Sequence, residues 1–138
     1  MIIKTDQAEF QDYLSDASNY KGYVESIYFP ESETELVKLL QKLNAQNIKA
    51  TVTGNGTGLT GARVPEGGVI ISPEKFNRVL EVNEKEKYVR VQPAVILKDL
   101  QDYVESVKLF YPPDPTERNC CIGATVATNA SGARTFKY

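Results

Sequence analysis

Histidine is missing altogether from this 138-residue sequence. Its absence excludes any Ser-His-Asp or Cys-His catalytic arrangement, and it excludes a cofactor attached through histidine. A general acid or base would have to be a carboxylate, lysine, tyrosine or cysteine, and no residue is singled out as catalytic. Cysteine is scarce, and Cys120 and Cys121 are adjacent. Neighbouring cysteines rarely reach disulfide geometry without strain, and two thiols without histidine make a poor metal site. They read as small packed residues, and no metal is expected. A strong charge of one sign is missing too. The formal net charge is −2, which excludes a strongly basic nucleic-acid footprint. Long apolar runs are also absent. The N-terminal MIIKTDQAEF lacks the apolar core of a signal peptide, and no segment approaches the roughly 18 residues of a membrane span. The expectation is a cytoplasmic protein.

What is present is an ordinary globular composition, 41% hydrophobic and 25% charged. A chain of this length is the size of one domain and can bury roughly 68% of its unfolded surface. Asp6 followed by Glu9 marks a helix start, with Phe10, Tyr13, Leu14 and Ala17 on one face. Residues 23–28 read as a short extended segment ending at Pro30. Ser32 and Glu35 form a capping box ahead of Leu36, Leu39, Leu40 and Leu43, which predicts a helix over 32–46. Strands are expected at 48–53 and 69–71. A hairpin is expected from Val79–Val82 and Tyr88–Val91 around the polar run 83–87. Leu97, Leu100, Tyr103, Val104 and Val107 mark a second amphipathic helix. Residues 123–129 read as a helical turn or an irregular loop. Helices alternating with short strands, one stretch antiparallel, give an α+β (α/β-like) fold: a small mixed sheet flanked by helices.

The strongest local feature is Thr53-Gly54-Asn55-Gly56-Thr57-Gly58-Leu59-Thr60-Gly61. Alternating glycines permit positive φ, so successive N–H groups can turn toward one point and form an anion-binding nest. Thr57 and Thr60 add hydroxyl donors. Gly56 to Gly61 also matches G-x-G-x-x-G, but the dinucleotide-binding form of that motif opens a helix. Here Pro65, Gly67 and Gly68 follow, so a long helix is disfavoured. No Gly-Lys-Ser/Thr follows either, so the loop is not a Walker A motif. The bland alternative is a glycine-rich turn with no ligand.

A second constellation runs from Pro112 to Tyr138. From Gly123 to Gly132 its residues are small or hydroxylated. Such residues suit a ligand surface made of backbone, with Thr125, Thr128, Asn129 and Ser131 as donors. They equally suit a buried helix–turn that needs close packing. Asn129 and Gly132 can support unusual backbone turns. Arg134 and Lys137 read as solvated charges unless they face a phosphate or an acid.

Taken together, these segments resemble the PCMH-type FAD-binding domain of the vanillyl-alcohol-oxidase superfamily, in its glycolate oxidase subunit and D-lactate dehydrogenase branch. The resemblance covers residues 28–138. It runs through Pro30 to Val37, Gly54 to Gly61, Gln92-Pro93-Ala94-Val95, Phe110 to Pro115, Cys121 to Ala124, Ala127 to Gly132, and Lys137-Tyr138. It implies non-covalent FAD. Asn55 to Thr60, with Gly54, Gly56, Thr57, Gly58 and Leu59 in that loop, would line the pyrophosphate through backbone N–H groups. Pro113 and Asp114 would lie near the flavin and its linker. Cys121, Gly123, Ala124, Thr128, Asn129 and Gly132 would line the second wall of the cofactor cleft. Ala62, Ala124 and Ser131 depart from the pattern, which usually has glycine there. The resemblance further implies that residues 1–138 are the N-terminal part of such a domain, comprising its first subdomain and the start of the second. The cap and substrate domain would lie outside this sequence.

The expected function is the FAD-binding portion of an oxidoreductase acting on a small 2-hydroxy acid such as glycolate or D-lactate, inactive as this piece alone. Two alternatives stand beside it. One is a stand-alone nucleotide-binding module. The other is a degenerate interaction module whose open strand edges favour self-association.

Overall fold

The computed structural model covers residues 1–138. Its chain divides into two compact units, Met1–Lys75 and Phe76–Tyr138.

The first unit is built on a four-stranded sheet in the order β1-β2-β4-β3. The strands are β1 (Ile2–Lys4), β2 (Ser26–Phe29), β3 (Ala50–Val52) and β4 (Val69–Ile71), with helix α1 (Glu33–Ala45) between β2 and β3. β1 runs antiparallel to β2, whereas β2 and β3 both run parallel to β4. Period-two alternation divides the core between the two sheet faces. Ile70 of β4 packs with Ile27, Phe29, Val24 and Phe10. Val69 and Ile71 point the other way, onto Leu39 and Leu43 of α1. Burying each of those leucines contributes about 1.5–3 kcal/mol.

The capping box signal is realised with a change of partner. Ser32 Oγ accepts the Glu35 amide at 3.3 Å, but the Glu35 carboxylate accepts the Glu31 amide, at 2.9 Å. One expectation here needs correction. Residues after Asp6 form two 3-10 turns, Gln7–Glu9 and Gln11–Tyr13, rather than a helix. Asp6 does cap the first turn, accepting from the Ala8 amide at 3.0 Å. The segment then stops at side chain–backbone bonds around Asp16 and Ser18, which compete with helical hydrogen bonding in so short a stretch. Strand β1 was not anticipated, because Ile2, Ile3 and Lys4 are too short a run to carry a period.

The second unit holds a two-stranded ribbon, β5 (Val79–Asn83) and β6 (Tyr88–Val91), and helices α2 (Leu97–Ser106) and α3 (Ile122–Ala127). The expected hairpin is present and antiparallel, with a register shift between Val79 and Glu81. Residues 118–123 run back along 93–98: Leu97 and Lys98 donate to the carbonyls of Cys120 and Arg118, while Ile122 and Gly123 donate to those of Val95 and Pro93. Val95, Leu97, Leu100, Val104, Cys120 and Ile122 form the core. Tyr103, expected on the buried face of α2, is 47% exposed. Gln101 is buried in its place.

Candidate functional site

The glycine-rich loop leaves β3 and does not begin a helix; Gly54 to Gly61 is irregular, and β4 follows at Val69. Two side chains that the sequence did not flag hold it. Arg63 turns back under the loop. Its Nη1 donates to Gly54 O at 2.8 Å and to Thr53 Oγ1 at 3.0 Å. Its Nε donates to Ser15 O at 2.8 Å, and its Nη2 donates to the carbonyl of Asp12. Asp16 holds the far end, where its Oδ2 accepts the Gly61 amide at 2.9 Å. Its Oδ1 accepts from the Ser18 amide and hydroxyl. The Ser18 hydroxyl, opposed by burial and helped by the Ser18 and Gly61 amides, holds the Asp16 carboxyl below the usual carboxylate range. The Ala17 amide donates to Gly56 O at 3.1 Å.

These contacts secure the rim of the loop. The N–H groups from Gly56 to Thr60 donate to no acceptor in the protein, while Thr57 is half-buried and Leu59 is 74% exposed. Unsatisfied donors of this kind suit an anion. Gly58 adds an independent observation. Its φ is not positive, and a Cβ there would meet only Asp16 Oδ2, at an ordinary 3.6 Å. Nothing inside the protein demands glycine at that position, whereas a ligand lying against the backbone would. The residues present therefore fit a phosphate-bearing group. A cavity of about 520 Å³ lined by Tyr20, Lys49, Thr51 and Glu66 touches this loop only at Gly61.

The other expected site residues lie in the second unit. Asp114 is clamped by two arginines. Its Oδ1 accepts from Arg118 Nε and Nη2 at 3.2 and 3.1 Å, and its Oδ2 lies 3.3 Å from Arg134 Nε. Burial opposes ionisation of this carboxyl, but the Arg118 hydrogen bonds and both guanidinium charges outweigh it and lower the pKa. Pro113 O accepts from Gln101 Nε2 at 3.1 Å. Gly132 packs on Asp114, since a Cβ would fall 1.9 Å from the Asp114 carbonyl oxygen. Gly123 packs likewise on Pro93. Cys120 and Cys121 are buried and not disulfide-bonded. Ala124 and Thr128 sit on α3 and its C-terminus, where Thr128 Oγ1 donates to Ala124 O at 2.8 Å. Asn129 takes the left-handed conformation, at φ 49°. No group of three or more Cys, Asp or Glu side chains is placed to hold a metal ion.

The sequence family described as "FAD binding domain" matches residues 24–138. The chain belongs to that family. As an FAD-binding domain it is 40% identical over 108 residues to a D-lactate dehydrogenase of Anaerostipes hadrus, covering 78% of this chain and 23% of that protein. It is 33% identical over 129 residues to the glycolate oxidase subunit GlcD of Bacillus subtilis strain 168, covering 91% of this chain and 27% of that protein. In fold it matches a solved alkyldihydroxyacetonephosphate synthase at a TM-score of 0.86 and 22% identity, over 99% of this chain and 28% of the other. This FAD-binding domain thus spans about a quarter of the length of the curated relatives it matches. No helix in it is long and apolar enough to cross a membrane.

Proposed function

We propose that residues 1–138 form the part of a flavin-dependent 2-hydroxy-acid oxidoreductase that grips FAD without a covalent bond. The observation that carries this reading is the run of unsatisfied amides from Gly56 to Thr60, held open by Arg63 and Asp16. Those amides would take the cofactor's phosphates, and Gly58 would let them lie against the backbone. Within the second unit, Pro113, Asp114, Cys121, Gly123, Ala124, Thr128, Asn129 and Gly132 would be cofactor-contacting residues. Bound FAD supplies the hydride chemistry, and the protein supplies binding, orientation and electrostatics. The relatives named D-lactate dehydrogenase and glycolate oxidase subunit support a small 2-hydroxy acid as substrate of the longer protein. The reading takes the protein as cytoplasmic, where thiols such as those of Cys120 and Cys121 stay reduced.

The 138-residue chain alone is expected to be inactive. Its ribbon of β5 and β6 has only two strands, so each keeps an edge outside the ladder, and Leu80 is 52% exposed. Self-association of the isolated chain follows, and a solution mass measurement reads it directly. Cofactor choice is tested by titrating the chain with FAD, FMN, NAD and ATP and following fluorescence. FAD is expected to bind tightest. Preference for a mononucleotide would overturn the flavin reading in favour of a stand-alone nucleotide module.

A further inference from the structure

Arg134 is held in a way that a solvated surface charge is not. Its guanidinium carbon lies 4.8 Å from the centroid of the Phe110 ring, and its Nε lies 3.3 Å from Asp114 Oδ2. Tyr138 packs edge-on against the same ring, at 5.4 Å between centroids. The Gly132 backbone is pressed against the Asp114 carbonyl, and the Gly132 amide donates to Thr135 Oγ1 at 3.0 Å. The segment carrying Arg134 is therefore fixed to the Pro113–Asp114 turn at its backbone as well as through the side chain.

The charge of this cluster is not balanced. One carboxylate, Asp114, faces two guanidinium groups, Arg118 and Arg134, so −1 and +2 leave the trio one unit positive. Arg118 spends two donors on Asp114 Oδ1. The Glu117 carboxylate turns to the Asn119 amide. Arg134 donates no hydrogen bond to the protein, so the Nη1–Nη2 edge of its fork has no acceptor, although the side chain is only 31% exposed. A guanidinium oriented by a carboxylate on one side and a ring on its face is pre-organised for bidentate recognition of an oxyanion.

We propose that Arg134 is an anion-contact residue, aligned by Asp114 and Phe110 to take a phosphate or carboxylate on its free fork. Only the source of that anion rests on the flavin reading. It is either a phosphate of the cofactor or the carboxylate of the acid substrate.

The test follows the arginine Nε–H signals of the 138-residue chain by NMR while inorganic pyrophosphate or D-lactate is added. The Arg134 signal is expected to shift and saturate with one of them. Arg134→Gln should weaken that ligand about tenfold, the loss of roughly one charge-assisted pair. Arg134→Lys should restore it only in part, because a point charge lacks the fork. Asp114→Asn separates alignment from bulk charge. Simple electrostatics predicts tighter anion binding once a negative charge is removed, whereas loss of alignment predicts weaker binding. Tighter binding by Asp114→Asn would overturn the alignment. A response to pyrophosphate assigns Arg134 to the cofactor, and a response to D-lactate assigns it to the substrate. Should Arg134→Gln lose its fold by circular dichroism, the shift in the unsubstituted chain decides alone. A silent Arg134 signal in both titrations overturns the proposal. FAD failing to bind while pyrophosphate still shifts Arg134 would sink the flavin reading and leave this one standing; FAD binding with Arg134 silent would do the reverse.

Discussion

The guanidinium of Arg63 fills the space that a side chain at Gly56 would need: a Cβ there would sit 2.6 Å from its Cζ. Gly56 also has φ 75°, where an added side chain is strained. Gly56→Ala is expected to destabilise the chain by about 1–3 kcal/mol. Arg63→Lys should destabilise it by a similar amount, because an ammonium cannot reach Gly54, Thr53 and Ser15 together. Thermal melts of both variants check this. An unchanged melting temperature for Arg63→Lys would show that the loop does not depend on its fork.

Gly58 should behave in the opposite way. It has ordinary φ and open space around a Cβ, so Gly58→Ala is expected to change stability by less than about 0.5 kcal/mol. Its effect should appear in FAD affinity, because the methyl group would stand where the phosphates approach the backbone. Fluorescence titration of the variant with FAD reads this. Undiminished affinity would mean that the cofactor passes elsewhere.

How far the sequence foretold these relationships depended on the range of the interaction involved. α1, α2 and the hairpin were legible because each carries its own period of apolar residues, and β4 through its unbroken apolar run Val69-Ile70-Ile71. The loop 54–61 was legible through its glycines. Arg63 and Asp16 were not, because their roles come from backbone carbonyls and an amide distant along the chain, at Asp12, Ser15 and Gly61. No local pattern encodes such a meeting. Gly132 is legible as a residue for an unusual turn; its packing on Asp114 depends on how residues 112–115 return toward 130–134. The misjudged helix after Asp6 shows the opposite failure. The period was present at Phe10, Tyr13 and Leu14, but Asp16 and Ser18 offered the backbone other partners.

Tyr13 joins the N-terminal turns to the segment after β4, donating to Glu74 Oε2 at 2.7 Å and packing edge-on against Phe29. Burial first, and then the bond and charge of Glu74, push its pKa up from 10.0 to about 12. A raised pKa means that the folded state favours the neutral phenol. The associated stability is fully present below pH 10 and is lost as the pH rises through about 12. Absorbance titration at the phenolate band should show Tyr13 titrating late, with Tyr111 also raised by its burial. Glu74→Gln should move Tyr13 earlier without returning it to 10.0, because burial remains. A titration unaffected by Glu74→Gln would show that the hydrogen bond contributes nothing.

Asp16 gives the acid-side counterpart, and it bears on the loop itself. Its carboxylate accepts from Ser18 and from the Gly61 amide, and its pKa is lowered from 3.8. The folded state therefore favours the charged form. The stability this confers is present above pH 3.8 and is lost as the pH falls through the depressed folded value. Asp16→Asn keeps an acceptor for Gly61 but loses the charge, so near neutral pH it should cost only about 1 kcal/mol. As the pH falls below 3.8 the parent chain should lose more stability than the variant, so the two melting curves converge. If FAD affinity falls with the same acid profile in the parent and not in the variant, the Asp16–Gly61 bond sets the shape of the phosphate loop. Parallel profiles would show that Asp16 anchors the turn at 16–18 without governing the amides beyond it.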